Sequence, residues 1–445
     1  MGRAEHRASA TAPMKPQRAL ALLLIGAATA LEDGLARTPP MGWRSWNCYG
    51  GDVDDARIRA AVDALAAKRT SPWTGARRSL ADLGFARAGV DDGWQSCGEG
   101  YEGSFHAADG TPLVNASRFP DLAALVRYGR GKGLKMGWRG AALQKTRDAS
   151  RDAPRPRYDD NCICLDSYKL RANASWAALA YAADVEQVYA AGFDGVKIDN
   201  CGDDDGSGFA ARVRDIKGRP TPVLVENSNQ GSGLGPPRGL PNDTDWCDFH
   251  LFRTGGDIRP DFDGVVARLQ RVLPFTNSTP PISRPGCWAY PDMLEVGNFG
   301  WALGGPRNDA AFVESRTHFG LWCVVSSPLI LGFDVADDDK LEAVWPIVSN
   351  EEAIAVNQAW AGFPGTLVVD AADYQVWAKP LGGATAALVF NRGTATLDVS
   401  VPLAALGLPE TATARDVWTH TNATVSVAWA ATLPPHDSAF AVFSS

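Results

Sequence analysis

Short apolar runs that end on glycine or acidic residues recur along the chain, separated by alanine-rich stretches whose apolar positions fall three and four apart. The runs are PPMGWRSWN, ARAGVDDGW, GLKMGW, FDGVKID, TPVLVEN, HLFRTGGDI, a less regular one near ISRPGCW, and VVSSPLILG. The stretches between them include DARIRAAVDALA and SWAALAYAADVEQVYAAG, a periodicity that predicts helices packed by one face. Eight strands alternating with helices predict an α/β fold of (β/α)8 TIM-barrel type over residues 35–361. From about Gly362 the texture changes. TLVVDAADYQVWAKPL, TAALVFNR and SAFAVFSS are β-branched and aromatic runs between Gly, Pro and Asn turns, which predicts a separate antiparallel β-domain over 362–445.

Ahead of the barrel, Lys15 and Arg18 precede the apolar run ALALLLIGAATA, which closes on Ala28 and Ala30. A basic start, a short apolar stretch and small residues at the end predict a signal peptide over residues 1–30, with Met14 as an alternative start. A run of about twelve apolar residues is too short to span a bilayer, which takes about twenty. No later run is longer, so no membrane span is expected. N-x-[ST] sequons at Asn115, Asn173, Asn242, Asn277 and Asn422 agree with a glycosylated product of the secretory pathway, extracellular or lysosomal/vacuolar. In such a compartment the eight cysteines are disulfide candidates. Cys162 and Cys164 lack a second such pair and the six histidines show no HxxxH, so neither a metal site nor a cofactor is expected. The formal charge of −8 argues against nucleic acid or anionic membrane as a partner and leaves a small neutral molecule. Fifteen tryptophans offer faces for the apolar sides of sugars, though tryptophan also fills cores.

The reacting groups of such a barrel sit at the C-terminal ends of its strands. Alternation places Lys197 and Asp199 on one face, with Val196 and Ile198 turned to the helices. Asp199 is then an inward carboxylate at the end of the fourth strand. Asp91 and Asp92 close the second run, Glu226 closes the fifth, and Asp257 follows the sixth. Carboxylates from four strand ends converging on one mouth are what glycoside hydrolysis needs. No GxSxG supports a serine hydrolase, and a dehydrogenase is unsupported as well.

TPPMGW, DDGW, KGLKMGW, GVKIDNC, FRTGGDI, CWAYPDMLEVGNFG, SSPLILG and IAVNQ occur in order between Thr38 and Gln358. Together they resemble the α-galactosidase and α-N-acetylgalactosaminidase family, glycoside hydrolase family 27. The resemblance implies a barrel with a C-terminal β-sandwich and a retaining mechanism on terminal α-linked galactose. It implies Asp199 as nucleophile and Asp257 as general acid/base, and sugar contacts from Trp46, Asp91, Asp92, Lys197, Arg253 and Asp292. Each has a plainer alternative: Trp46 as core, Asp91 and Asp92 as a turn or cap, Lys197 as a floor ion pair, Arg253 as a carboxylate anchor, Asp257 as a turn residue. A retaining enzyme needs one ionised carboxylate and one that starts protonated. Lys197 favours the ionised form of its neighbour, and the acids around Asp257 are expected to raise its pKa. The paired acceptors Asp91 and Asp92 suit the axial 4-hydroxyl and the 6-hydroxyl of galactose. Glu226 is a further candidate contact and tilts the reading from N-acetylgalactosamine to galactose. The resemblance also implies disulfides from Cys48 to Cys97 and from Cys162 or Cys164 to Cys201. Where relatives would pair Cys247, this chain has Ser228, which leaves Cys247 free or paired elsewhere.

Two segments depart from the family, Lys68 to Arg77 and Arg139 to Arg157. Relatives place a substrate-contacting tyrosine where Arg139 stands, and removing Arg139 to Arg157 would restore it as Tyr158. Both segments read as retained intron sequence or clade-specific insertions, the second at the rim of the site. The partner is therefore an α-galactoside of an oligosaccharide, glycolipid or glycoprotein. The alternatives are an α-N-acetylgalactosaminidase or an inactive sugar-binding homologue, and a homodimer stays open because relatives include monomers and dimers.

Overall fold

The computed structural model describes residues 33–141, 174–199, 213, 215–228, 246–299 and 309–444. Tyr158, Cys162 and Cys201 lie outside the described residues. Eight short parallel strands form one sheet: β1 (Met41–Arg44), β2 (Arg87–Val90), β3 (Lys135–Ala141), β4 (Gly195–Asp199), β5 (Leu224–Asn227), β6 (Leu251–Arg253), β7 (Trp288–Tyr290) and β8 (Leu329–Leu331). Their hydrogen-bonded order is β8-β1-β2-β3-β4-β5-β6-β7. Just past β7, Leu294 bridges back to β8: its N–H donates to the Ile330 carbonyl at 2.7 Å, and its carbonyl accepts from Gly332 N–H at 3.0 Å. The sheet thus closes on itself, and the expected barrel architecture holds.

Alternation along each strand sorts the side chains into two layers. Ala88, Val90, Met136, Trp138, Val196, Ile198 and Val225 face outward into the main core, beneath the helices. Leu224, Leu251, Trp288, Tyr290 and Ile330 turn inward and make a small cluster within the barrel. Glycine holds the inward positions 42, 89, 137 and 195 on β1 to β4. At Gly42 a Cβ would come within 2.7 Å of the Arg87 carbonyl, so only glycine lets β1 and β2 approach there. The missing side chains leave a cavity of about 40 Å³ bordered by Arg44, Lys197 and Glu226, room for a few waters beneath the charged mouth.

The outer helices follow the predicted periodicity. In α1 (Asp55–Ala66), Ile58, Ala61, Val62 and Leu65 are buried, and the Asp54 carboxylate caps the start by accepting from Arg57 N–H at 2.8 Å. In α2 (Leu122–Gly131), Asp121 caps Ala124 N–H in the same way. Further helices are α3 (Ala174–Ala191), α4 (Phe262–Leu269), α5 (Asp309–Val324), α6 (Asp338–Val348) and α7 (Glu351–Gln358). Among the described residues no helix is long and apolar enough to cross a membrane.

After the barrel the chain is all β. Six antiparallel strands pair in the order β9 (Thr366–Asp370), β10 (Tyr374–Pro380), β11 (Ala384–Asn391), β16 (Ser438–Ser444), β13 (Thr411–Asp416), β14 (Asn422–Ser426). The pair β12 (Leu397–Pro402) and β15 (Ala428–Leu433) lies against them across a core that includes Val389, Val399, Val401, Trp429 and Phe443. The sheet's other face packs on α5, where a Cβ at Gly320 would meet Leu388 at 2.6 Å. Arg316 on α5 pairs with Asp437, and Glu352 on α7 pairs with Arg415, so both helices are tied to the β-domain.

The segment Lys68 to Arg77 is built into this framework. Arg69–Thr70 pairs antiparallel with Arg77–Arg78 in a hairpin. Trp73 Nε1 donates to the Pro346 carbonyl on α6 at 3.1 Å, and Trp345 Nε1 donates to the Thr70 carbonyl at 2.8 Å. The Trp73 ring stacks on His420 of the C-terminal domain with centroids 4.3 Å apart. The hairpin therefore bridges barrel and β-domain.

Candidate functional site

Inward positions at the C-terminal ends of the strands carry charge in place of the apolar side chains below. Arg44 ends β1, Asp91 follows β2, Arg139 lies on β3, Lys197 and Asp199 on β4, Glu226 on β5 and Arg253 on β6. The turn after β2 is tied on both sides. Asp91 N–H donates to Ser45 Oγ at 3.0 Å, and Gly93 follows with φ +105°, where a Cβ would fall 2.4 Å from the Gly51 carbonyl. Asp91 and Asp92 are both fully buried.

Asp91 is the hub of the first charge cluster. Its Oδ1 accepts from Arg139 Nη1 at 2.6 Å, its Oδ2 accepts from Lys197 Nζ at 2.9 Å, and Arg44 Nε lies 3.7 Å away. Burial pushes the Asp91 carboxyl up, but three cations outweigh burial and hold it well below the usual carboxylate range. Asp92 goes the other way. Burial, reinforced by the Asp91 charge, raises it against the pull of Arg139. Asp92 Oδ2 has no hydrogen-bond partner and lies 3.8 Å from Arg139 Nη1. A buried acceptor in that state calls for a donor.

Asp199 stands at the edge of the same cluster, with 17% of its side chain exposed. Its Oδ2 is 2.5 Å from Arg139 Nη2 and 3.6 Å from Lys197 Nζ. Lys197 therefore serves Asp91 first and Asp199 second. Trp46 is half-buried against the inner cluster, and the Arg139 guanidinium carbon sits 5.2 Å from its ring centroid.

A second cluster gathers at the ends of β6 and β7. Arg253 Nη2 donates to Asp257 Oδ1 at 3.0 Å and reaches Asp292 Oδ2 at 2.9 Å. Asp292 is buried and its oxygens accept from Ile258 N–H at 2.8 Å and Met293 N–H at 2.7 Å. It thereby pins the loop that carries Asp257, while burial raises its own pKa over the opposing pull of Arg253. The Asp257 side chain is 94% exposed. Desolvation at the pocket rim pushes its carboxyl up, but Arg253, then Lys197 and Arg139, bring it below the ordinary value. This reverses the expected rise: the neighbouring acids are each matched by a cation, and the cations are what Asp257 faces.

Glu226 also departs from expectation. Both of its oxygens accept from the Arg44 guanidinium, one at 2.6 Å. In register it pairs with Lys197, one inward position below Asp199, and it is buried. Its carboxylate is thus committed to the floor of the pocket and not presented to the opening.

Two further residues were missed. Arg44 has the inward parity of Gly42, and Tyr290 has that of Trp288, so the alternation rule already pointed at both. The Tyr290 hydroxyl is buried without a hydrogen-bond partner, and burial, with Glu226 and Asp292 nearby, raises its pKa well above the usual value. The Cys48 to Cys97 pairing is not formed. Cys48 is free, its thiol donating to the Ser45 carbonyl at 3.3 Å inside the single turn Trp46–Tyr49, while Cys97 is disulfide-bonded. Cys247 pairs with Cys287, joining the approaches to β6 and β7.

The family profile described as "Alpha galactosidase A" matches residues 239–359, and the one for the "Alpha galactosidase C-terminal beta sandwich domain" matches 371–443. The α-galactosidase of Coffea arabica is 30% identical over 420 residues, covering 92% of this chain and 94% of the coffee protein. That of Cyamopsis tetragonoloba is 29% identical over 409 residues, covering 88% and 82%. Among solved structures, α-galactosidase I from Mortierella vinacea superposes with a TM-score of 0.69 at 23% identity, over 93% of this chain and 98% of its own. A family 27 β-L-arabinopyranosidase from Geobacillus stearothermophilus gives 0.72 at 22%, over 92% and 97%. These two establish likeness of fold.

Proposed function

The chain belongs to the α-galactosidase family, glycoside hydrolase family 27, and from that premise we propose that Asp199 and Asp257 carry its reaction on terminal α-linked galactose. The protein is a retaining glycosidase. The observation that supports the assignment is electrostatic: Lys197 and Arg139, which contact Asp199 directly, also depress the Asp257 carboxyl. Cations common to both support a reading in which the carboxylates from β4 and from the loop after β6 serve one pocket.

In the first step the ionised Asp199 attacks the anomeric carbon while Asp257 protonates the departing oxygen. In the free protein Asp257 is held too acidic to keep its proton at neutral pH. An exposed carboxylate is raised when a sugar covers it, because desolvation penalises the charged form. Substrate binding therefore prepares its own acid. The unpartnered Asp92 Oδ2 is the acceptor that supports a sugar-hydroxyl contact, and Trp46 supplies an apolar wall. Lys197 and Asp91 set the charge of the wall beside the nucleophile, and Arg253 and Asp292 hold the acid's loop. The Arg44 pairing removes Glu226 from the contacts that would separate galactose from N-acetylgalactosamine.

The route is the secretory pathway, supported by the N-terminal apolar run, the exposed sequon residues Asn277 and Asn422, and the Cys247–Cys287 disulfide. The test of function is release of nitrophenol from α-galactoside, α-N-acetylgalactosaminide and β-L-arabinopyranoside substrates. The α-galactoside should be turned over best, with the galactose first released as the α-anomer. A preference for either other glycoside, or a β-anomeric first product, would sink the reading.

A further inference from the structure

We propose that Arg139 is a positioning residue that acts through Asp199 and treats the two chemical steps unequally, slowing formation of the glycosyl-enzyme and speeding its hydrolysis. The proposal rests on Asp199 as the nucleophile. Arg139 is 3% exposed, and its guanidinium is fixed on three sides. Nη2 lies 2.5 Å from Asp199 Oδ2, Nη1 lies 2.6 Å from Asp91 Oδ1, and the Trp46 ring covers one face at 5.2 Å. On β3 it is in register with Lys197 on β4. Lys197, a second described cation near Asp199, is 3.6 Å from Asp199 and held at 2.9 Å by Asp91, so of these two Arg139 is the stronger partner of the nucleophile.

In the first step a lone pair of the Asp199 carboxylate forms a bond to the anomeric carbon. The bond from that carbon to the aglycone oxygen breaks, and the oxygen keeps the pair and takes the proton of Asp257. Asp199 loses negative charge as its ester forms. A charge-assisted hydrogen bond is stronger to a carboxylate than to an ester, so Arg139 stabilises the ground state more than the transition state. In the second step a water oxygen bonds to the anomeric carbon and passes a proton to the Asp257 carboxylate. The ester bond breaks and its pair returns to Asp199. Charge now grows on Asp199 in the transition state, where a fixed guanidinium already points at it. The same contact therefore opposes attack and favours departure.

Pre-steady-state turnover of nitrophenyl α-galactosides tests this on the unaltered protein. The expected result is no burst of nitrophenol and a steep dependence of kcat on the acidity of the leaving group, as attack is then the slow step. In Arg139→Met, kcat/KM should rise about ten- to hundredfold. A burst should appear, and intact-mass spectrometry should show protein carrying one galactosyl unit. Arg139→Lys should restore burst-free turnover. A burst with accumulated glycosyl-enzyme in the unaltered protein overturns the proposal without any variant. So does a folded Arg139→Met protein with unchanged or lower kcat/KM and no accumulation. Retention of turnover by Asp199→Ala would instead remove the nucleophile assignment beneath it.

Discussion

Asp199 at the end of β4 and Asp257 after β6 both feel Lys197 and Arg139, and their settings differ in almost every respect. Asp199 sits on a strand, 17% exposed, and two of the described cations, Arg139 and Lys197, reach it while locked to Asp91. Asp257 sits on a loop, 94% exposed, with one arginine shared between it and the buried Asp292. The first group is in place before any substrate arrives. The second is half-built, since the loop is pinned by Asp292 but the carboxyl lacks the cover that would keep it protonated. A nucleophile needs fixed charge and direction, whereas an acid needs a pKa that rises at the moment of binding. In the proposed roles of Asp199 and Asp257, the two clusters would provide those two things separately.

The largest effects should come from separating the pair. Asp199→Ala should lose about 10⁴-fold or more in kcat/KM on a nitrophenyl α-galactoside. Asp257→Ala should lose about 10²- to 10⁴-fold on poor leaving groups and less on activated ones. Azide sharpens the contrast. In Asp199→Ala it should enter in place of the side chain and give β-galactosyl azide, whereas in Asp257→Ala it should intercept the glycosyl-enzyme and give the α-azide. Azide products of the same configuration from both variants would break the proposed division of roles.

Beneath the first cluster, Arg44 and Glu226 form a nearly buried pair, and beside Asp257 the buried pair is Arg253 with Asp292. Arg44→Met should destabilise the fold by about 3–5 kcal/mol, because it strands a buried carboxylate. Arg44→Met combined with Glu226→Leu should regain most of that loss, read by chemical denaturation. A single variant as stable as the parent would show that the floor is not a coupled charge pair.

Much of the architecture was legible because it depends on alternation alone. Val196 and Ile198 reach the outer core while Lys197 and Asp199 point inward, as a period of two requires. What alternation could not supply was which opposite charge each acid meets. Glu226 looked like a free acceptor until Arg44, 182 residues earlier, was seen to close on it. Arg139 read as the first residue of an insertion, yet its inward parity on β3 drops a guanidinium among three carboxylates. Asp257 was expected to be raised by nearby acids, an inference that counted acids and left out Arg253 four residues before it. Long-range pairing across a barrel mouth is a property of closure, and no local pattern encodes it.

The depressed acidity of Asp257 gives a pH test of the second cluster. Because kcat/KM reports the free protein, and the proposed attack requires protonated Asp257, kcat/KM should fall as pH rises through a pKa below the ordinary carboxylate value. Arg253→Gln removes the main charge that lowers it, so the descending limb should move to higher pH. A limb that stays in place would mean that another group limits protonation.

The smallest effect tests whether the hairpin at Arg69–Arg78 belongs to the barrel or only rests on it. Trp73 makes two kinds of contact there, a hydrogen bond from its ring nitrogen to the Pro346 carbonyl and a stack on His420 of the C-terminal domain. An aromatic pair of this kind contributes about 0.5–1.5 kcal/mol, and the hydrogen bond about as much again. Trp73→Ala should therefore lower stability by about 1–3 kcal/mol while leaving kcat/KM unchanged, since no residue of the pocket touches the hairpin among the described contacts. His420→Ala should reproduce the stacking part, and the double variant should cost less than the two singles together, because both lose one shared contact. Strict additivity would place the two rings out of contact in solution. A fall in kcat/KM with Trp73→Ala would tie the hairpin to the charged mouth, and the distinction between a catalytic barrel face and a structural one would fail at that point.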